Sequence, residues 1–248
     1  MEHRSNNMKL DQYKKLVAER KNCQQCMRTT EDQNKDDSRY LTNPSDVAKI
    51  GCDCDSNQIG PWTQWQGNLD ADLMVVGQDW GDTKYFKDNK GREKANNPTN
   101  RMLIKLMSSI DRRIENPEDV NQPKVAFFTN AILCLKQGNM QTVVQEAWFR
   151  NCQHFLRQQI EIVKPKIVVG LGQLAYNTIL SAFAIKKPAK FLDSVTNTEG
   201  VALANGSRAF AVYHCGARIL NTHRRETEQF NDWQRIGEAL PAIPSISR

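Results

Sequence analysis

Four short apolar runs constrain this chain more than any other feature: Asp72–Gly77, Val125–Thr129, Lys166–Leu171 and the weaker Ala209–Tyr213. Brief runs rich in Val, Ile and Phe, without polar alternation, are strands buried on both faces, as in a parallel sheet. Between them, apolar residues recur at helical spacing. Met102, Leu103, Leu106 and Ile110 form one such stripe, and Trp148, Phe149, Cys152, Phe155, Leu156 and Ile160 form another. Gln173–Phe183 and Thr222–Leu240 read as further helices. Strands alternating with helices imply an α/β fold: a three-layer α/β/α sandwich around a central four-stranded, mainly parallel sheet. We place that core at residues 71–240 of a single domain spanning 1–248.

The N-terminal part reads differently. Residues 1–22 predict a short basic helix with Leu10, Tyr13, Leu16 and Val17 on one face, and residues 27–70 a long ordered loop. The chain has 248 residues, 39% of them hydrophobic, enough to bury a sizeable core. No apolar run approaches the roughly 20 residues that span a bilayer. Met1–Asp11 is polar and lacks the apolar segment of a secretory signal, which predicts a cytoplasmic protein. The net charge of +6 suits a polyanionic partner without requiring one. Seven cysteines in such a chain point to metal binding or catalysis rather than disulfides, and their odd number argues the same way.

In parallel sheets, ligands sit outside the carboxyl ends of the strands. That rule selects Gln78-Asp79-Trp80-Gly81-Asp82, Asn130 and His214-Cys215-Gly216. A carboxylate at Asp79 can orient water or stabilise a cation, and Gly77 and Gly81 let a ligand approach the backbone. The Asn130 amide offers the donor and acceptor needed to read a base edge. An imidazole at His214 can stabilise charge on a leaving group. Each has a plainer reading: Asp79 as a helix cap, Asn130 as a turn residue, His214 as a structural histidine. Their common placement at one sheet end carries the functional reading.

Gly77-Gln78-Asp79 resembles the start of the G-Q-D-P-Y-H motif of uracil-DNA glycosylases. Asn130-Ala-Ile-Leu133 resembles their base-reading strand, and His214 stands where they have H-P-S. The match to the iron–sulfur branch, family 4, is longer. Thr129-Asn-Ala-Ile-Leu-Cys134 is similar to its T-N-V-V-K-C segment. Asn151-Cys-Gln-His-Phe-Leu156, Lys164–Gly172 and Cys23-Gln-Gln-Cys26 follow its other motifs in order. The resemblance spans residues 20–235. It implies a [4Fe–4S] cluster on Cys23, Cys26, Cys134 and Cys152, with a Cys₄ zinc site as the rival and Cys52 or Cys54 as possible substitutes. It also implies a monomeric, monofunctional glycosylase that flips a pyrimidine out of DNA and hydrolyses its N-glycosidic bond, leaving an abasic site. Asp79 would stabilise the cationic sugar and position water, His214 the departing base, and Asn130 the base edge. Ala217–Leu220 falls where the family has its wedge, so Arg218 or Ile219 would fill the gap in the duplex. Arg224 and Arg225 would hold phosphates, or else form a solvated turn.

Departures surround the pocket. The motif's Pro-Tyr is Trp80-Gly81, and the family's stacking phenylalanine falls near Asn96. Trp80, Tyr85 or Phe86 must then stack on the base. Family 4 lacks the aspartate that Asp79 supplies, and Cys215 replaces the proline of H-P-S. Two substrates follow: uracil, or a cytosine with a bulky C5 group, such as the glucosylated hydroxymethylcytosine excised in phage defence. A non-catalytic or covalent-trapping DNA-binding module is the reading of another class. The trapping branch carries K-R-R-I-H after the first motif, whereas Gly91-Arg92-Glu93-Lys94 has no histidine.

Overall fold

The computed structural model describes residues 2–29, 31, 36–49 and 57–241, with the side chains of 2–6, 37, 48 and 49 left aside. Cys52 and Cys54 lie outside the described residues.

The central sheet contains β2 (Leu73–Asp79), β3 (Phe127–Ile132), β5 (Ile167–Leu171) and β7 (Arg208–Val212), all parallel. A fifth, two-residue strand, β6 (Val201–Ala202), pairs antiparallel with β7 and extends the expected four-stranded sheet. The strand order is β3-β2-β5-β7-β6. Successive residues enter opposite layers, as strand geometry requires. Leu73, Val75, Ile167, Val169, Phe210 and Val212 face one core. That core includes Leu103 and Leu106 of α5 (Pro98–Ser108) and Trp233 and Ile236 of α10 (Glu226–Ala239). Met74, Val76, Val168, Ala209 and Ala211 face the other. There they meet α1 (Glu2–Asn22), α6 (Glu146–Val163) and α7 (Gln173–Ala182). Two apolar layers explain why these strands show no polar alternation.

Tyr13, Leu16 and Val17 of α1 are buried as expected, but Leu10 is exposed. The segment expected as a long loop is partly structured. It contains β1 (Leu41–Thr42), α2 (Pro44–Lys49) and α3 (Pro61–Trp65). Strand β1 pairs antiparallel with β4 (Leu135–Lys136), joining the N-terminal part to the segment after β3. Buried Arg20 holds this region from within, donating to Asn43 Oδ1 at 3.2 Å, Ser45 Oγ at 3.1 Å and the Gln58 carbonyl at 3.1 Å. The remaining helices are α4 (Thr83–Asp88), α8 (Phe191–Thr196) and α9 (Ala217–Thr222). Among the described residues, no helix is long and apolar enough to cross a membrane.

Candidate active site

A cavity of about 510 Å³ opens at the carboxyl ends of the parallel strands. Asp79 ends β2, Asn130 lies in β3, Gly172 follows β5 and His214 follows β7, and all four line it. The three residues singled out for chemistry thus share one wall. The α7 N-terminus, residues 173–175, adds backbone N–H groups suited to negative charge.

Asn130 is buried and lies opposite Gly77 in register. A Cβ on Gly77 would stand 2.6 Å from Asn130 Nδ2 and 2.9 Å from the Trp62 ring. Glycine is therefore required here for space, because the amide and an indole occupy the place of a side chain.

Asp79 is held from two sides. Gln78 Nε2 donates to Oδ2 at 2.7 Å, and Lys136 Nζ pairs with Oδ1 at 3.1 Å. The Asp79 and Lys136 side chains are only 7% and 5% exposed, so solvent screens their attraction poorly. Lys136 also donates to the Met140 carbonyl at 2.9 Å. No sequence pattern singles out this lysine, which β4 brings to the site from far along the chain.

His214 accepts a hydrogen bond at Nδ1 from the Gly216 N–H at 3.0 Å. The neutral ring therefore carries its proton on Nε2. Burial lowers the imidazole below its ordinary value, and Asp79 opposes that shift. Cys215 stands where the resemblance has a proline. It is buried, contacts the Thr99 carbonyl through sulfur at 3.5 Å, and burial pushes its thiol up to about 12.

The expected base-pocket residues separate. Gly77, Gln78 and Trp80 line the cavity, but Gly81, Tyr85 and Phe86 do not. Phe86 is buried beneath Trp80, edge-on at 5.4 Å, and Tyr85 packs on Trp80 at 5.0 Å. These two support the indole and present no ring of their own to the cavity. The space beside Gly81 is taken by a side chain. A Cβ there would meet Met140 Sδ at 2.9 Å, so the thioether fills that space and itself lines the cavity. Trp62, Phe191 and Tyr213 are lining aromatics that the sequence reading missed, as are the polar residues Glu93, Thr99 and Asn100.

The expected wedge is helical, in α9. Ile219 lines the cavity and Arg218 is exposed. Arg225 is exposed at the start of α10. Arg224, by contrast, is committed within the protein. It grips both oxygens of buried Asp232 at 2.9 and 2.7 Å, and Glu228 at 3.0 Å, which commits its guanidinium within the protein.

Away from the cavity, Cys23, Cys26, Cys134 and Cys152 are free thiols from three parts of the chain. Cys134 and Cys152 are buried with Leu41, Ile132 and Trp148, and Cys26 packs against that group. Asn151 Nδ2 donates to Cys26 Sγ at 3.2 Å. Burial is the first cause raising the Cys134 thiol, followed by the neighbouring Cys152, Cys23 and Cys26. Among the described residues, no three His, Cys, Asp or Glu side chains are close enough to hold a single metal ion. A four-iron cluster is broader than one ion and spaces its thiolates further apart. Four thiols in an apolar shell, with an amide donor to sulfur, fit such a group.

The family model for the uracil DNA glycosylase superfamily matches residues 64–236. The type-5 uracil-DNA glycosylase of Pyrobaculum aerophilum is 28% identical over 173 residues, 68% of this chain and 70% of its own length. The type-4 enzyme of Archaeoglobus fulgidus is 24% identical over 177 residues, 69% and 78% of the two chains. That of Thermotoga maritima is 28% identical over 151 residues, 60% and 67%.

Proposed function

The chain belongs to the uracil DNA glycosylase superfamily, and from that premise we propose that it is a monofunctional DNA glycosylase acting on a flipped pyrimidine nucleotide. The observation that carries this reading is the meeting of Asp79, Asn130 and His214 around one cavity. Extruding the base from the stack lets it enter such a pocket. The C1′–N1 bond then breaks, and its electron pair leaves with the base. Asp79 stabilises the cationic sugar and directs water, whose oxygen bonds to C1′. The released proton ends on the base. A neutral His214 donates from Nε2 to the base oxygen that gathers charge. Asn130 pairs with the base edge.

Lys136 acts as a positioning residue. Its ammonium donates to Asp79 and to the Met140 carbonyl, which directs the carboxylate and leaves the amine committed. It is read as an anchor rather than a nucleophile, so borohydride should trap no covalent protein–DNA adduct. A trapped adduct lost in Lys136→Met would reverse that assignment.

Cys23, Cys26, Cys134 and Cys152 would hold a [4Fe–4S] cluster whose part is to tie the N-terminal arm to the core. Ile219 and Arg218 would enter the duplex, and Arg225 would meet phosphate.

Two substrates remain on this reading, uracil and a cytosine with a bulky C5 group. A cavity of about 510 Å³ has room for either base. Excision of the second from viral DNA is the defence role that this reading allows. Purified protein incubated with uracil-containing DNA and with C5-substituted DNA, scored for abasic sites, tests the assignment. Asp79→Asn should bind DNA as before yet lose at least about a hundredfold in base release. Unchanged release in that variant would sink the role of Asp79.

A further inference from the structure

Glu93 is the buried acid that the chemistry above does not use. Only 7% exposed, it lines the cavity from the turn between α4 and α5. Its Oε2 accepts from Asn100 Nδ2 at 2.7 Å. Burial raises its pKa, and Asn100, the Trp80 indole and the Lys94 backbone oppose that rise; among the described residues Glu93 forms no salt bridge. A carboxyl taken out of water without a countercharge is costly, and such groups in clefts are functional candidates.

The neighbouring wall points the same way. The Trp80 indole N–H lies beside the Glu93 carboxyl, close enough to favour its ionised form, without a well-formed hydrogen bond. Thr99 and Asn100, at the start of α5, add a hydroxyl and an amide to the same cavity. An indole N–H, a carboxyl, an amide and a hydroxyl on one side of the cavity are more than a bare pyrimidine needs. Asn130 already supplies the donor and acceptor for a base edge.

We propose that Glu93, with Thr99, Asn100 and the Trp80 N–H, forms a subsite for a hydroxyl-bearing substituent carried on the flipped base. A hydroxyl is the group that answers both needs of this wall, donating to the carboxylate and accepting from the indole. Burial, which pushes Glu93 up to about 7, leaves it in either protonation state near neutrality. A hydroxyl donates to the ionised carboxylate and accepts from the protonated carboxyl, so it pairs with both states. The remaining volume accommodates a substituent beyond the ring. This inference rests on the glycosylase reading and sharpens its substrate.

The test compares wild type with Glu93→Gln on three DNAs, carrying uracil, 5-hydroxymethylcytosine or its glucosylated form. The substituted amide keeps the volume and still accepts from Asn100, and a thermal melt confirms folding. The expected result is a loss of at least about tenfold in kcat/KM on a hydroxyl-bearing base, with uracil release changed less than about threefold. Equal losses on all three DNAs, or no loss on any, would overturn the subsite. So would wild type that releases uracil and neither hydroxylated base, although the glycosylase reading would then stand. Wild type releasing no base from any of the three would count against the glycosylase reading itself.

Discussion

At the scale of single residues, the imidazole of His214 fixes how the site can work. Its Nδ1 is occupied by the Gly216 N–H, and burial disfavours the charged ring. On the proposed mechanism, the group that would meet a leaving base is therefore neutral and presents Nε2–H. Its folded-state value lies below the ordinary 6.5, so the unfolded chain binds the proton more readily. Its contribution to stability is complete above 6.5 and is lost as pH falls through the lower folded value. An NMR titration of the ring should place the midpoint below 6.5, and Asp79→Asn should lower it further by removing the opposing charge. A midpoint above 6.5 would refute the neutral-donor role. Gly216 has an ordinary φ of −72°, but a Cβ there would stand 2.9 Å from Nδ1. Glu93 has the opposite linkage. Its value rises from 4.5 to about 7, so the fold disfavours its ionised form and stability falls as pH climbs across that window. Glu93→Gln should thus melt several degrees above wild type at about pH 8, with a smaller difference at about pH 5. An equal difference at both values would show that the carboxyl carries no such penalty.

At the scale of elements, what was legible in the sequence was whatever local pattern decides. The four parallel strands stand out because both faces are apolar, and the carboxyl-end rule then placed Asp79, Asn130 and His214 together. The start of α5 was hidden, since Asn97-Pro98 signals a helix cap without showing that Thr99 and Asn100 face a cavity. Lys136, Trp62 and Glu93 were unreadable for a related reason. Each gains its role from a partner distant in sequence, and no periodicity records such a contact. Arg224 shows the opposite case. Arg224 looked like a phosphate ligand because basic residues follow the wedge, yet it anchors α10 through the 0%-exposed Asp232 side chain. Arg224→Met should therefore reduce stability rather than DNA affinity. Arg235 still pairs with Asp232 at 2.7 Å, so the cost should fall below the roughly 3–5 kcal/mol of an orphaned buried charge. A melting point lowered by several degrees with unchanged affinity per folded molecule is the expected outcome. Weakened binding with an unaltered melt would restore the phosphate role.

At the scale of the whole molecule, the four cysteines and the cavity are linked by one short stretch. Cys134 stands two residues before Lys136 in the segment that leaves β3 and forms β4. Strand β4 pairs with β1, whose first residue, Leu41, lies opposite Lys136 and donates its N–H to the Cys26 carbonyl at 2.9 Å. The Lys136 N–H donates to the Gly81 carbonyl at 3.0 Å, and its side chain holds Asp79. A group bound by the cysteines would thus brace the backbone that presents Lys136 to the carboxylate. Replacing Cys134 with Ser should remove iron, measured by metal analysis and visible absorption, and should free the N-terminal arm for proteolysis near residues 23–29. The same variant should lose base release more than DNA binding, because the disturbance reaches Asp79 through Lys136 rather than through α9, where the proposed wedge lies. If iron is lost while turnover and the protease pattern stay as in wild type, the cysteine region and the active site are mechanically independent. The bracing role of β4 would then be wrong, whatever the cysteines bind.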